Sequence, residues 1–577
     1  MMCCRRFQMM TLQKKTHAVG LLPEVCIMKG GGEEGNDTEI TVVEQIPRFR
    51  FPSTSLSLGD DDSSNVEMSS RAELSLRRAE FIAWSQLAVP SGFRSLFDLL
   101  PWLCSLSMIG RVGTRELSAL SLTETWIYGW MTVSWTAIAI TQSTLVSQAH
   151  GARNVRAMRT WALFTFIASL FLACVITCAW LFAPAALNSF GFDPAMTSLA
   201  QNYVLYAIPV LFFEAFNITA SVYLVSMQTA VLPLAIGAFN AIVDVAASYL
   251  MIFGAEPELP RLKNALQAAA LGWTISSAIS VAVNAAALRW AVGRELDFGD
   301  EANRIVEEKE GLLDNDSTPD YDVLEGGSVQ ELLGEGGFVM PWRDVVLSRA
   351  KWGTYLAQLI PNVSVVAIST IQYVVISFLA AGLGPVDIAT HNILICFFEI
   401  IHTATQGMAE ATAVRVGSHL GAGDARAARR TAIVALVAVG SWGLGISVIG
   451  FCLHEYIARV FSGDAAVLAA AAQLRALMWS AYALISVGDA AGGVLEGQGR
   501  SGGQMGAVVV GIGIAVPLAF MSVHLTSLGL RGLWGSMLIG YGCIDVINIA
   551  LVYFSDWDQL ARDAVGTAKT GEEGGRD

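Results

Sequence analysis

The sequence predicts an all-α integral membrane protein with twelve transmembrane helices, arranged as two six-helix bundles related by a pseudo-two-fold axis along the membrane normal. Composition, the number of long apolar segments and an internal repeat lead to this prediction. Of the 577 residues, 54% are hydrophobic and only 15% are charged, and the mean hydropathy is +0.51. Soluble domains carry about 25% charged residues, so this composition indicates a membrane protein.

About twelve apolar segments are long enough to cross a bilayer. A hydrocarbon core of about 30 Å requires about 20 residues of helix at a rise of about 1.5 Å per residue. The predicted spans begin near Phe81, Thr125, Thr160, Gln201, Val231, Leu266, Lys351, Val386, Arg430, Gln473, Met505 and Leu533.

One loop sequence occurs twice. "GARNVRAMR", which begins at Gly151, recurs as "GAGDARAAR", which begins 270 residues later at Gly421. Because six spans is an even number, both copies of the repeat enter the membrane in the same direction, and a cleft is expected between the two bundles. Further matches at similar offsets pair Gly113 with Gly384 and Gln228 with Gln498.

The acidic residues are concentrated in one predicted linker. Between Arg294 and Glu335 the chain has fourteen Asp and Glu against three basic residues, within a net charge of −14. Such a segment is typical of disorder. Arginines favour the loops after even-numbered spans, which predicts that both termini and the linker are cytoplasmic. The predicted segments are disordered residues 1–78, the first bundle 79–291, the linker 292–349, the second bundle 350–557 and a disordered tail 558–577.

Several function classes find no support in the sequence. It has no G-x-x-x-x-G-K-[ST] loop for ATP and no histidine cluster or nucleophile arrangement, and its nine cysteines lack metal or disulfide spacing. No cleavable signal peptide is predicted. We therefore expect no enzyme activity, no cofactor and no nucleic-acid partner. The expected partners are a small-molecule substrate and the lipid bilayer, and the expected state is a monomer.

Four motifs resemble those of the multidrug and toxic compound extrusion (MATE) transporters, particularly the eukaryotic branch. The resemblance runs from about residue 79 to about residue 557. It implies a secondary antiporter of the plasma membrane or an endomembrane, which exports organic cations or other amphipathic compounds in exchange for H⁺ or Na⁺ by alternating access. The motifs are "GRVGTRELSALSL" at 110–122, "TLVSQAHGARN" at 144–154, "AVRVGSHLGAGDARAARR" at 413–430 and "AGGVLEGQGR" at 491–500.

Ionisable residues inside the spans are the candidate substrate and coupling residues, because a charge in the membrane costs about 2.5–3.5 kcal/mol and usually faces a functional cavity. Three alternatives remain open. Asp489 could form a packing hydrogen bond, Glu399 could pair with His402, and a salt bridge to Arg94 is the favoured interpretation of Asp98. Glu399, His402, Gln406 and Glu410 share one face of span eight. The candidates are Asp489, Glu399, His402 and Glu410 in the second bundle and Asp98, Glu214 and Asp244 in the first.

The resemblance places Ser369 where eukaryotic relatives carry a glutamate in helix seven. If the protein is proton-coupled, another carboxylate must therefore carry the proton, and Asp489 is the favoured substitute. We predict a neutral polar cavity wall, for which interhelical hydrogen bonds are the alternative. A lipid-linked flippase of the same superfamily and a membrane receptor or sensor with this fold are the alternative functions. The wall residues are Gln358, Asn362, Ser369, Gln372 and Asn217.

Overall fold

The computed structural model describes residues 62–189, 194–254, 265–312 and 348–572, and these residues form no β-strand. Twelve long helices lie in this part of the chain. A short helix, Ala183–Ser189, follows α3, and a π-helical turn, Leu250–Gly254, continues α5. The long helices are α1 (Asp62–Val112), α2 (Thr114–Gly151), α3 (Val155–Leu181), α4 (Pro194–Ser226), α5 (Val231–Tyr249), α6 (Ala265–Leu312), α7 (Arg349–Leu383), α8 (Pro385–Gly421), α9 (Ala425–Phe461), α10 (Ala465–Gly497), α11 (Ser501–His524) and α12 (Gly529–Tyr553).

Eleven of these described helices are long and apolar enough to cross a membrane, and α2 is the exception. The second half of α2 is rich in hydroxyl and amide side chains, which are buried inside the protein. Helix α2 therefore lies in the interior, where its polar groups find protein partners. The predicted all-helical fold with twelve helices is confirmed. The buried polar residues of α2 include Thr141, Gln142, Ser143, Thr144, Ser147 and Gln148.

Each half of the described chain has its own apolar core. Trp161 and Trp180 are fully buried in the first core, which is built mainly from α1 to α6. Tyr482 and Trp534 are buried in the second, built from α7 to α12. Tyr355, near the start of α7, joins the first core. The bundle of α1–α6 and the bundle of α7–α12 are called the first and second bundle below.

The two copies of the repeated loop have the same local structure. The Asn154 side chain accepts a hydrogen bond from the Ala157 amide at 2.9 Å, and Asp424 caps α9 in the same way through Ala427 at 2.8 Å. A left-handed residue precedes each cap, Arg153 (φ 55°) in the first copy and Gly423 (φ 76°) in the second. The end of the bundles that carries residues 151–154 and 421–424 is called the loop face.

The turns after α4 and α10 show that one predicted residue match between the two halves is wrong. Gln228 (φ 59°) and Gly499 (φ 70°) are the left-handed residues of these turns, and their backbone hydrogen bonds correspond one to one. Gln228 therefore corresponds to Gly499, at an offset of 271 residues, and not to Gln498. The second half therefore has one more residue than the first half between the repeated loop and this turn.

Three predicted disordered segments contain helix. Helix α1 begins at Asp62 and α6 continues to Leu312, whereas residues 1–61 and 313–347 lie outside the described residues. The predicted tail also folds. Residues 557–572 form a further helix, α13 (Trp557–Glu572), so the prediction of a disordered tail is wrong over this range.

Helix α13 has an amphipathic pattern that a search for membrane spans does not detect. Four of its apolar residues recur at steps of four, three and four, which places them on one helix face, and these four are buried. The Lys351 Nζ at the start of α7 donates to the Gly571 carbonyl at 3.2 Å. Helix α13 also packs on α2 and α3 of the first bundle and on α8 and α9 of the second, so it joins both bundles at the loop face. The buried residues are Trp557, Ala561, Ala564 and Ala568.

Candidate functional site

Helix α1 of the first bundle contacts the second bundle through several polar pairs. Glu80 accepts hydrogen bonds from Arg415 Nε at 2.7 Å and from Arg415 Nη2 at 2.8 Å. The Trp84 indole donates to Thr412 Oγ1 at 3.0 Å. Further from the loop face, an ion pair joins Arg94 Nη2 to Glu410 Oε2 at 2.6 Å. These pairs fix α1 along the second half of α8.

Two glycines, one on each helix, allow the backbones of α2 and α8 to come into direct contact. Gly151 lies against the backbone of Ser418, and Gly421 lies against the backbone of Gln148. Both approaches are so close that a Cβ atom at either glycine would overlap the facing carbonyl. The two contacts are equivalent, because 270 residues separate Gly151 from Gly421 and Gln148 from Ser418. Glycine is required at both positions because only its missing side chain permits this approach.

Helix α2 also reaches α7 and α10. The Asn362 Nδ2 donates to Thr141 Oγ1 at 3.0 Å, and the Thr144 hydroxyl donates to the Glu496 carbonyl at 2.8 Å. The Gln148 Nε2 donates to the Gly497 carbonyl at 3.1 Å. All these α2 residues lie in its last three turns, near Gly151. Among the described residues, the two bundles are therefore joined through the half of the molecule that ends at the loop face.

The second bundle contains a polar centre around Asp489. Its Oδ2 accepts a hydrogen bond from Thr405 Oγ1 at 2.8 Å and lies 3.0 Å from His402 Nε2. The histidine contact has the distance of an ion pair between the two side chains. His402 therefore pairs with Asp489 on α10 and not with Glu399. The half-buried Glu399 side chain forms no hydrogen bond or ion pair with any residue that the structure describes.

Glu410 does not belong to this centre, although it shares the predicted face with His402. Its partner Arg94 also donates to Ser221 Oγ at 2.9 Å, which ties α1 to α4 as well. In the described part of the chain, the direct salt-bridge contact of Arg94 is with Glu410 and not with Asp98, although Arg94 still attracts Asp98 electrostatically. Asp98 lies instead beside Gly237, where a Cβ atom would stand 3.6 Å from Asp98 Oδ1.

The predicted acids of the first bundle bind to their own neighbours. Glu214 Oε1 accepts hydrogen bonds from Ser277 Oγ at 3.0 Å and from Asn217 Nδ2 at 3.3 Å. Asp244 accepts one from Ser248 Oγ at 3.3 Å. Asn217 accepts a further bond from α6, through the Asn284 amide at 3.1 Å. Glu214 and Asn217 thus connect α4 with α6.

The predicted neutral wall of α7 is not continuous. Gln358 donates to the Gly499 carbonyl at 2.8 Å and Asn362 binds Thr141, so both form the interhelical hydrogen bonds of the alternative interpretation. Ser369 is half-buried. Gln372 is only 2% exposed and its Oε1 has no hydrogen-bond partner.

A small pocket with four aromatic rings lies within the second bundle, next to the polar centre. Its cavity volume is only about 10 Å³, which is room for about one water molecule. The α10 residue Ile485 lies one turn before Asp489, so the pocket approaches the carboxylate along that helix. Sequence reasoning did not predict this pocket, because helices far apart in the chain contribute to it. The lining residues are Tyr373, Ile395, Phe398, Ala481, Ile485, Trp534, Met537 and Tyr541.

Asp545 on α12 is an acidic residue that the sequence analysis missed. It lies one turn beyond Tyr541, is 4% exposed, and its Oδ1 is packed against Gly488, the residue before Asp489. A single acid in the apolar segment "GCIDVINIALVY" was the available signal. In the described part of the chain, no three His, Cys, Asp or Glu side chains are grouped as a metal site would require.

A family model described as MatE matches this chain twice, at residues 90–250 and 361–521. Multidrug and toxin extrusion protein 1 from Homo sapiens is 24% identical over 512 residues, which cover 88% of this chain and 80% of that protein. Protein DETOXIFICATION 33 from Arabidopsis thaliana is 24% identical over 492 residues, which cover 83% of this chain and 89% of that protein.

Solved structures share the fold. The eukaryotic MATE transporter AtDTX14 matches with a TM-score of 0.68 at 18% identity, over 85% of this chain and 100% of that chain. A multidrug resistance MATE transporter in an outward-facing conformation matches with a TM-score of 0.66 at 16% identity, over 86% and 98% of the two chains. These relatives are transporters and not enzymes. With both of its halves matched by the family model, the chain belongs to the MATE family of multidrug and toxin extrusion transporters.

Proposed function

We propose that this protein exports organic cations or other amphipathic small molecules in exchange for protons, and that the second bundle binds both. The observation that carries the proposal is the polar centre of Asp489, His402 and Thr405 beside an aromatic pocket. The names of the relatives, multidrug and toxin extrusion protein 1 and DETOXIFICATION 33, support export as the direction.

The chemistry of the pocket suits an organic cation. The faces of Tyr373, Phe398, Trp534 and Tyr541 can attract a positive charge by cation–π interaction, and Asp489 supplies the full negative charge. A proton bound to a carboxyl group of this centre weakens cation binding, and a bound cation favours loss of that proton, so the two ligands compete. Asp489 on α10 thereby supplies the negative charge that the missing helix-seven acid would supply at Ser369.

The joined loop face supports alternating access. The positive-inside rule places the loop face in the cytoplasm. Because the described contacts between the bundles lie toward the loop face, we propose that the cleft between the bundles opens toward the opposite, outer side in this conformation. Opening toward the cytoplasm requires separation of Glu80 from Arg415 and of Gly421 from Gln148. Pockets for drug-sized ligands measure about 300–1,000 Å³, whereas the aromatic pocket measures only about 10 Å³. The substrate must therefore occupy mainly the cleft beside the pocket, and the aromatic side chains must move apart to contact it.

The alternative of a lipid-linked flippase finds less support. A phosphate headgroup requires cationic donors, but the residues that line the pocket include no Arg or Lys. The nearest charged groups on α10 and α12 are the carboxyl groups of Asp489 and Asp545. The electrostatics of the pocket therefore favour a cationic ligand.

Reconstituted vesicles can test proton coupling directly. Tetraphenylphosphonium, a rigid organic cation, should accumulate about tenfold for each pH unit of imposed gradient, because one proton contributes about 1.4 kcal/mol per pH unit in a one-for-one exchange. The measurement is uptake of the labelled cation with a pH gradient, with a sodium gradient and with neither. Uptake that does not depend on the pH gradient would contradict proton coupling, and dependence on the sodium gradient alone would assign Na⁺ instead.

Replacement of Asp489 by asparagine should abolish the gradient-driven accumulation, a loss of at least about tenfold. The amide retains an acceptor for Thr405 but carries no negative charge to hold the organic cation. The control is Asp464→Asn. Asp464 is the exposed N-cap of α10, and its side chain accepts a hydrogen bond from the Ala466 amide, which an asparagine side chain can also do. Equal accumulation by Asp489→Asn and Asp464→Asn at equal protein levels would remove Asp489 from the mechanism.

A further inference from the structure

Two buried acceptors on α12 have no donor. Asp545 is 4% exposed and Asn548 is 3% exposed, and neither Asp545 Oδ2 nor Asn548 Oδ1 has a hydrogen-bond partner. Buried acceptors are nearly always paired in folded proteins, because an unpaired one loses its hydrogen bonds to water without replacement. Residues three apart lie on the same face of a helix, one turn from each other. One missing donor between them would therefore satisfy both.

We infer that Asp545 and Asn548 form the site that holds the exchanged proton, with the proton on Asp545 Oδ2 and a hydrogen bond from it to Asn548 Oδ1. This inference rests on the proposed proton-coupled transport and deepens it. The bound proton makes the carboxyl group neutral and turns one of two acceptors into a donor. Both unpaired atoms are then satisfied by a single proton.

The packing at Asp545 favours a proton over a metal ion. Its Oδ1 is pressed against Gly488 of α10 so closely that even a Cβ atom at Gly488 would overlap it. Hard metal cations require about six or more oxygen ligands at about 2.0–2.6 Å. A carboxyl group wedged against a neighbouring helix has no space for such a shell, whereas a proton adds almost no volume.

The position of Asp545 connects proton binding to substrate binding. The face of α12 that lines the pocket continues into this site, and Gly488 places it beside Asp489 on α10. On α11 the residues that contact α12 include the apolar Ala507, Val508 and Ile512. The other titratable groups around this centre are Glu399 and His402 on α8, Tyr373 on α7, Tyr482 and Glu496 on α10, and Tyr541 on α12. The α12 face advances by steps of three, four, four and three through Trp534, Met537, Tyr541, Asp545 and Asn548.

Charge balance explains the exchange. When a monovalent organic cation binds at the aromatic side chains of the pocket, the O–H bond of Asp545 breaks and the proton leaves to water. The carboxylate that remains balances the new positive charge, so the net charge of the centre does not change. Return of a proton restores the neutral carboxyl group and weakens cation binding.

Proton release on substrate binding is the decisive measurement. The purified full chain, in weakly buffered detergent with a pH indicator, is mixed with tetraphenylphosphonium. Wild type and the control Asp464→Asn are expected to release about one proton per bound cation. Asp545→Asn should release none, and its uptake driven by the pH gradient should be at least about tenfold lower than that of wild type. Asp545→Asn with wild-type release and uptake would overturn the inference. If wild type itself shows no uptake driven by a pH gradient, the proposed function fails instead.

Asn548→Ala provides a second test that does not remove the acid. If Asn548 accepts a hydrogen bond from the protonated carboxyl group, its loss should move the half-maximal pH of transport downward, by up to about one unit. The opposite orientation, in which the Asn548 amide donates to a charged carboxylate, would move it upward. An upward shift, or no shift, of the half-maximal pH in Asn548→Ala overturns the inference. This test remains available if Asp545→Asn fails to fold.

Discussion

Replacement of Gly421 by alanine is expected to hold the loop face open and to reduce transport at least about fivefold. The added methyl group would overlap the carbonyl of Gln148, and neither backbone can move without separating α2 from α8. Overpacking of a tight contact costs about 1–3 kcal/mol. At about 1.4 kcal/mol per factor of ten, the closed state should lose about 5-fold to 150-fold in population.

The distance between the two loops measures this effect. Spin labels at the exposed positions Arg156 and Ala422, in a background without native cysteines, report the separation of the bundles at the loop face. We expect a longer distance in Gly421→Ala and also in Gly151→Ala, because the contacts are equivalent. The matched control is Gly502→Ala, since a Cβ at Gly502 meets no atom within 4 Å. Unchanged distances together with unchanged transport would show that the glycine contacts do not control closure.

The second large effect is expected from Glu80→Gln. Glu80 and Arg415 are only 10% and 12% exposed at their side chains, and Thr431 Oγ1 also donates to Glu80 at 2.7 Å. Removal of the carboxylate leaves the Arg415 guanidinium buried without a counter-ion. Loss of one partner of a buried ion pair costs about 3–5 kcal/mol, because the remaining charge is uncompensated. We therefore expect the variant to unfold at a lower temperature and to close its loop face less often.

A double-mutant cycle separates the ion pair from other effects of the substitution. Glu80→Gln, Arg415→Gln and the double variant are compared by their melting temperatures in detergent. The double variant should be less destabilised than the sum of the single variants, because it leaves no buried charge without a partner. Additive losses would mean that the pair is not coupled. The loss should also depend little on salt, since buried pairs are weakly screened.

Local sequence signals predicted the membrane fold. The length of each apolar segment indicates a span, and the repeated loop indicates two equivalent bundles, because neither depends on knowledge of distant contacts. Helix α13 was missed for the opposite reason. Its apolar positions, from Trp557 to Ala568, form a stripe on an otherwise polar helix, and only the assembled loop face shows what covers that stripe.

The candidate site was predicted only in part, because residues on one helix face need not share one site. Glu399, His402 and Glu410 lie on one face of α8, but eleven residues of helix extend about 16 Å. Along that length α8 passes different neighbours, so His402 meets Asp489 of its own bundle and Glu410 meets Arg94 of the other. Helical spacing predicts the face, whereas the partner depends on how distant helices pack.

The contact of the two repeated loops has the form of an isologous dimer interface, in which each partner offers the same surface to the other. Gly151 meets Ser418, and Gly421 meets Gln148. In a true dimer of identical half-chains, every substitution would appear in both partners. Covalent fusion removes that restriction. Ile218 on α4, 271 residues before Asp489, is the equivalent position in the first half, and it is apolar. One half can therefore carry an ionisable group that the other lacks while the shared interface remains paired.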